Sequence, residues 1–160
     1  MPERAPIYTA EAHVTGGRAE GHGRTSDGAL DVDLRAPEET GGSGGGTNPE
    51  QLFAVGYAAC FESALGAVAR RRRQEAGDVA IDARVLLLPT EDRRFKLAVA
   101  LAVTLPSVDD PDEAVELVRA AHQVCPYSNA TRGNIDVSLT ANGRGIEEAS
   151  EQAGEAQHAS

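Results

Sequence analysis

The segment from Thr47 to about Arg73 constrains this chain more than any other. Thr47-Asn48-Pro49-Glu50 reads as a helix start, with Thr47 or Asn48 as cap, proline early in the first turn, and Glu50 near the positive end of the dipole. Behind it Phe53, Gly56, Tyr57, Cys60, Ala64 and Ala67 recur at helical spacing. So much Ala and Gly predicts a core helix packed closely against other backbone. It closes on the arginine run Arg70 to Arg73 at the negative pole, before Gly77.

Strand signals lie on both sides of this helix. Upstream come Ile7 to Val14, a Gly16-Gly17 turn, Ala19 to Ser26, an Asp27-Gly28 turn, and Ala29 to Leu34, where alternation puts Leu30, Val32 and Leu34 on one face. The glycine-rich stretch from Ala36 to Thr47 is expected to be a flexible loop that cannot pack by itself. Downstream, Val79 to Leu88 and Phe95 to Leu105 read as a hairpin joined by the polar stretch Pro89 to Arg94. Asp109-Asp110-Pro111 opens a second helix, with Val115, Val118, Ala121 and Val124 or Cys125 as its apolar stripe and Pro126 as its exit. A Tyr127 to Gly133 connector and a last strand, Ile135 to Ala141, complete the order βββ-α-ββ-α-β, an α+β class. One domain over residues 1–142 is expected, followed by an acidic tail, 143–160, whose four Glu and one Arg predict disorder.

With 160 residues and a net charge of −10, the chain is of one-domain length and its field repels nucleic acid and anionic membranes. Neither is expected as a partner. Met1-Pro-Glu-Arg-Ala-Pro6 carries charge and proline where a signal peptide needs an apolar run. The longest nearly apolar run, Leu97 to Leu105, is far short of the roughly 18 residues of a membrane span. A cytoplasmic location is therefore expected, and the glycosylation triplet Asn129-Ala130-Thr131 is discounted. Two cysteines are too few for a disulfide scaffold, so any disulfide in a reducing compartment would be a working one.

Taken singly, Cys60 and Cys125 each read as small buried hydrophobes. A mid-helix thiol gains nothing from a helix amino terminus, so lowering its pKa requires a cation from elsewhere. Zinc is one alternative, because His122 and Cys125 stand three apart on a helix; yet a site needs about four ligands, and only Cys60, His13 and His22 remain to complete it. His122 otherwise reads as support for the negative end of its helix. The glycine run lacks the lysine of a phosphate-binding loop, and Arg70 to Arg73 reads as a solvated helix end.

The segments Gly16-Gly-Arg18, Thr47-Asn-Pro-Glu-Gln-Leu-Phe-Ala54, Gly56-Tyr-Ala-Ala-Cys-Phe61 and Ala121-His-Gln-Val-Cys-Pro-Tyr-Ser-Asn-Ala-Thr-Arg-Gly-Asn134 strongly resemble bacterial organic hydroperoxide resistance proteins. These form part of the wider group that includes the osmotically inducible protein C. The resemblance spans about residues 7–141 and is most specific around Cys125. It implies an intertwined homodimer with shared active sites, two buried helices packed with sheets, and no bound metal or cofactor.

The resemblance also implies a bacterial thiol peroxidase that reduces organic hydroperoxides to alcohols, with Cys60 peroxidatic, Cys125 resolving, and Arg18 and Glu50 serving the same site. Arginine suits a thiolate and a developing alkoxide, and a carboxylate can hold its guanidinium. Phe53, Tyr57, Phe61 and Tyr127 are expected to form the apolar substrate pocket. The implied reductant is an external dithiol, dihydrolipoamide or a lipoylated protein. Two alternatives stand beside this reading: a broader-specificity peroxidase of the osmotically inducible branch, and a zinc-binding structural module.

Overall fold

The computed structural model describes residues 3–147. Among the described residues the chain divides into two compact units, one up to Leu52 and one from Phe53.

In the first unit, β1 (Ala12–Thr15), β2 (Gly21–Thr25) and β3 (Asp31–Arg35) form an antiparallel sheet in that order. Its register places Val14 opposite Gly23 and Gly23 opposite Val32, so one face is apolar around Leu34. The other face carries His13, Thr15, His22, Arg24, Asp31 and Asp33. The first strand is shorter than expected. Turning the chain at Asp27 leaves β2 long enough to pair only with Ala12–Thr15, and Ile7 and Tyr8 stay exposed outside the sheet.

The Gly16-Gly17 turn is also more than a turn. It leads into α1 (Gly17–Glu20), a single helical turn carrying Arg18, so β2 starts at Gly21 rather than Ala19. Gly21 makes this possible, since a Cβ there would lie 2.0 Å from the Gly17 carbonyl oxygen. Close approach likewise corrects the expectation that the 36–47 loop cannot pack. The amides of Gly42 and Gly44 bond to the Pro37 and Ala36 carbonyls at 3.0 Å, and Thr47 N bonds to Asp33 O at 2.9 Å.

The long helix, α2 (Pro49–Arg71), forms as its start signals predict, with Asn48 Oδ1 accepting from Gln51 N at 2.9 Å. Its core face is Tyr57, Phe61, Ala64, Leu65, Val68 and Ala69, whereas Val55 is exposed, so the helix is buried on one side only in this chain. By length and a mean hydropathy of 1.6 it also meets the requirement for a membrane span, which the run-length argument passed over because Gly56, Glu62 and Ser63 interrupt its apolar runs. Its core face is covered by the protein's own side chains.

In the second unit, β4 (Ala80–Pro89) and β5 (Phe95–Thr104) form the expected hairpin, and β6 (Asp136–Ala141) pairs with β5 in parallel. Parallel neighbours require a crossover. It is made by α3 (Pro111–Val124) and α4 (Pro126–Thr131), α3 being capped by Asp110, whose Oδ1 accepts from Asp112 N at 2.9 Å. The apolar stripe of α3 buries Val115, Val118, Ala121 and Cys125 but leaves Val124 exposed.

Two further elements correct the expected order. The 127–133 connector is largely helical, because Pro126, read as an exit from α3, also suits the first position of the next helix. Asn142-Gly143, both at positive φ, turn the chain into β7 (Arg144–Ile146), which pairs with β6. The tail therefore starts as a strand, and residues 148–160 lie outside the described residues.

Candidate active site

Cys60 projects from the middle of α2 and Cys125 from the junction of α3 and α4, and their sulfurs stand 3.5 Å apart as free thiols. Cys125 is the residue after the last turn of α3 and the cap of α4: its amide bonds to Ala121 O and its carbonyl accepts from Asn129 N, both at 2.9 Å. The two helices thus fix its backbone from both sides. Cys125 is fully buried, while Cys60 keeps some exposure.

Burial pushes the Cys60 thiol up from its ordinary value near 9.0; the Tyr127 backbone N–H opposes this by donating to the sulfur, and the neighbouring Cys125 sulfur pushes it further up. Within the second unit, then, the amide at the start of α4 is the group that favours the thiolate.

The aromatic residues sort into two environments. Phe53, Tyr57 and Tyr127 form a three-ring cluster with centroids 5.7–6.0 Å apart. The Tyr127 ring lies against α2 because position 56 is glycine. Tyr57 and Phe61 have no exposed surface, and the Phe61 ring packs 6.4 Å from that of His122. The expected four-residue pocket lining is therefore corrected: Phe53 and Tyr127 reach the surface, while Tyr57 and Phe61 support the site from the core.

In the first unit Arg18 and Glu50 meet. The guanidinium donates through Nη2 to Oε1 at 3.1 Å and through Nη1 to Oε2 at 3.3 Å, a bidentate fork. Each expected pair, Cys60 with Cys125 and Arg18 with Glu50, forms within its own unit.

A buried polar cluster behind the cysteines was not expected from sequence. Ser128 Oγ lies 2.8 Å from Tyr57 Oη and 2.8 Å from His122 Nδ1, and Thr131 Oγ1 lies 3.2 Å from Tyr57 Oη. His122 is therefore a buried hydrogen-bonding group rather than a dipole-facing surface one. The available signal was the spacing of Ser128 and Thr131, which share a face once 126–131 is read as helix. The zinc alternative gains no support, since among the described residues no three His, Cys, Asp or Glu gather in a way that could hold a metal ion. Arg70 to Arg73 are exposed at the end of α2.

The family described as OsmC-like protein matches residues 42–140. The organic hydroperoxide resistance protein of Xanthomonas axonopodis pv. citri is 53% identical over 141 residues, covering 87% of this chain and 96% of that one. A crystal structure of an organic hydroperoxide resistance protein from Legionella pneumophila, 51% identical, superposes with a TM-score of 0.80 over 84% of this chain and 97% of that chain. The putative organic hydroperoxide resistance protein of Vibrio cholerae, crystallised with captopril in one of its active sites, is 45% identical with a TM-score of 0.84, covering 91% and 99% of the two chains. This mixed α+β chain, with its paired thiols on α2 and at the α3–α4 junction, belongs to the OsmC-like family and, within it, to the organic hydroperoxide resistance proteins.

Proposed function

We propose that this protein is a cysteine peroxidase that reduces organic hydroperoxides to alcohols and so protects a bacterial cytoplasm against oxidative stress. The observation that carries this reading is the 3.5 Å separation of a partly exposed and a fully buried thiol. A disulfide needs the sulfurs at about 2.05 Å, so a shift of roughly 1.5 Å closes the pair. The relatives' names supply the substrate class.

The Cys60 thiolate attacks the hydroperoxide, an S–O bond forms as O–O breaks, and the departing alkoxide takes a proton to become the alcohol. Cys60 is now a sulfenic acid, oxidised by two electrons. Cys125 attacks that sulfur, S–S forms as S–O breaks, and the Cys125 proton leaves with the hydroxide as water. An external dithiol, dihydrolipoamide or a lipoylated protein, then reduces the disulfide and is itself oxidised to one. Arg18, held by Glu50, supplies the positive charge for thiolate and alkoxide in a homodimer with shared sites.

Substrate preference follows from Phe53 and Tyr127. An alkyl chain on these rings gains about 0.8 kcal/mol per buried methylene, which hydrogen peroxide cannot. The test is stopped-flow oxidation of reduced protein by a long-chain alkyl hydroperoxide and by hydrogen peroxide, with mass analysis of both cysteines. A Cys60–Cys125 disulfide formed much faster with the organic peroxide is expected. Equal rate constants would favour the broader-specificity branch, and absence of the disulfide would reject the peroxidase reading.

A further inference from the structure

The buried cluster beneath the thiols has a direction that follows from counting protons. Thr131 Oγ1 donates its one hydrogen to the Ser128 carbonyl at 3.2 Å. Its contact with Tyr57 Oη at 3.2 Å therefore uses the tyrosine's hydrogen. Ser128 Oγ then donates to Tyr57 Oη, and the remaining partner, His122 Nδ1, donates to Ser128 Oγ, both at 2.8 Å. The chain runs His122 to Ser128 to Tyr57 to Thr131 and ends on the Ser128 carbonyl. It assigns His122 a proton on Nδ1.

All four residues are buried and come from three elements: Tyr57 from α2, His122 from α3, Ser128 and Thr131 from α4. The same three elements carry the thiols. Tyr57 lies one turn before Cys60 on α2, His122 three residues before Cys125, and Ser128 three residues after it. Helix α4 has six residues and no side-chain bond at its cap, so its own hydrogen bonds hold it weakly. What it presents to Cys60 is the Tyr127 amide, and what precedes it is Cys125.

We infer that Ser128, bridging Tyr57 and His122, is a positioning residue that docks α4 on α2 and α3 and thereby holds the Cys125 sulfur within reach of Cys60. Its consequence for turnover rests on the peroxidase reading. A Cys60 sulfenic acid partitions between attack by Cys125, which expels water and gives the disulfide, and a second hydroperoxide, which gives sulfinic acid and alcohol. Only the first branch depends on the placement of Cys125. Loss of the bridge shifts the partition toward sulfinic acid.

The test separates placement from catalysis. Ser128→Ala removes the bridge, and Tyr57→Phe removes one of its partners while keeping the ring. The effective concentration of the two thiols is read from the disulfide's equilibrium with dithiothreitol, with no peroxide present. We expect it to fall about tenfold or more in Ser128→Ala and about threefold in Tyr57→Phe. Nitrogen NMR of the wild type is expected to show His122 protonated on Nδ1 at neutral pH. Under excess alkyl hydroperoxide, sulfinic acid per turnover is expected to rise in the same order.

An unchanged effective concentration in the folded variants, even with a lower Tm, would overturn the inference, because a merely structural bond lowers stability without loosening the thiol pair. A His122 tautomer protonated on Nε2 would overturn the directed chain. Should Ser128→Ala not fold, Tyr57→Phe and the NMR spectrum decide. If the effective concentration falls as stated but wild-type protein forms no disulfide with hydroperoxide, the positioning role stands and the peroxidase reading fails.

Discussion

A Cβ added at Gly56 would stand 3.0 Å from the Tyr127 hydroxyl oxygen and 3.3 Å from its Cε2. Glycine in a helix interior costs about 0.5–1 kcal/mol relative to alanine, so its presence here is offset by the close seat it gives the ring. Gly66, nearly three turns further along α2, is a built-in control, since a Cβ there meets only the flexible tip of Arg70 at 3.4 Å. Gly66→Ala is expected to raise stability by about 0.5–1 kcal/mol in denaturant unfolding. Gly56→Ala is expected to gain less, because the Tyr127 ring must yield. Equal gains at the two positions would show that the close contact has no energetic consequence.

The two cysteines are expected to fail differently. Cys60→Ser should abolish reaction with hydroperoxide, whereas Cys125→Ser should react once and then accumulate sulfenic and sulfinic acid on Cys60. Mass spectrometry after limited and excess peroxide reads both outcomes. Multiple turnover in either variant would contradict the two-thiol cycle. Because burial raises the Cys60 pKa within its unit, a subunit deprived of Arg18 is expected to react faster as pH rises toward and past 9.0.

How much of this was legible in the sequence depends on what sort of signal each residue carried. The start of α2, the β4–β5 hairpin and the Asp110-capped α3 were readable because capping chemistry and periodicity are local. Arg18 and Glu50 are 32 residues apart, and Cys60 and Cys125 are 65 apart; local pattern pairs neither, and both pairings came from resemblance. Helix α4 was missed because a proline that ends one helix and starts another gives a single signal. With α4 missed, Ser128 and Thr131 lost the geometry that makes them neighbours. Strand β7 was passed over for a different reason, as the Asn142-Gly143 hairpin signal sat at the edge of an acidic stretch whose composition dominated the reading.

On the polar face of the first sheet, His22 Nδ1 lies 3.0 Å from Asp33 Oδ1 and Nε2 lies 2.7 Å from Asp31 Oδ1. The hydrogen bond to Asp33 leads in raising the His22 pKa above 6.5, with Asp31 adding to it and Arg24, on Asp31, sharing that carboxylate. A folded-state pKa above the unfolded one means that the imidazolium stabilises the fold below about 6.5 and that this contribution is lost as pH rises through the folded value. Asp33 behaves oppositely: its pKa is lowered, first by His22, so its contribution is present above 3.8 and fades as pH falls through the folded value. Proton NMR of the His22 ring should place its titration above 6.5, and Asp33→Asn should bring it down. A midpoint unmoved by that substitution would remove Asp33 as the leading cause.

The proposed homodimer makes a prediction about which chain supplies which group. Glu50 lies in the first turn of α2 and Cys60 ten residues later on the same helix, Pro49–Arg71, which at about 1.5 Å per residue is roughly 15 Å along the axis. Two such helices packed antiparallel about a twofold axis would bring the Glu50 end of one to the Cys60 of the other and generate two equivalent sites. The competing explanation is that Glu50 serves only its helix dipole, as acids in a first turn commonly do. Mixing Glu50→Ala with Cys60→Ser subunits distinguishes them. Each homodimer is expected to be inactive or severely slowed, while a verified heterodimer regains one intact site and close to half of wild-type activity, because one of its two sites has both Glu50 and Cys60. Heterodimers no more active than the Glu50→Ala parent would show that each site is built within one chain. A Glu50→Ala homodimer with full activity would return Glu50 to a purely helix-capping role.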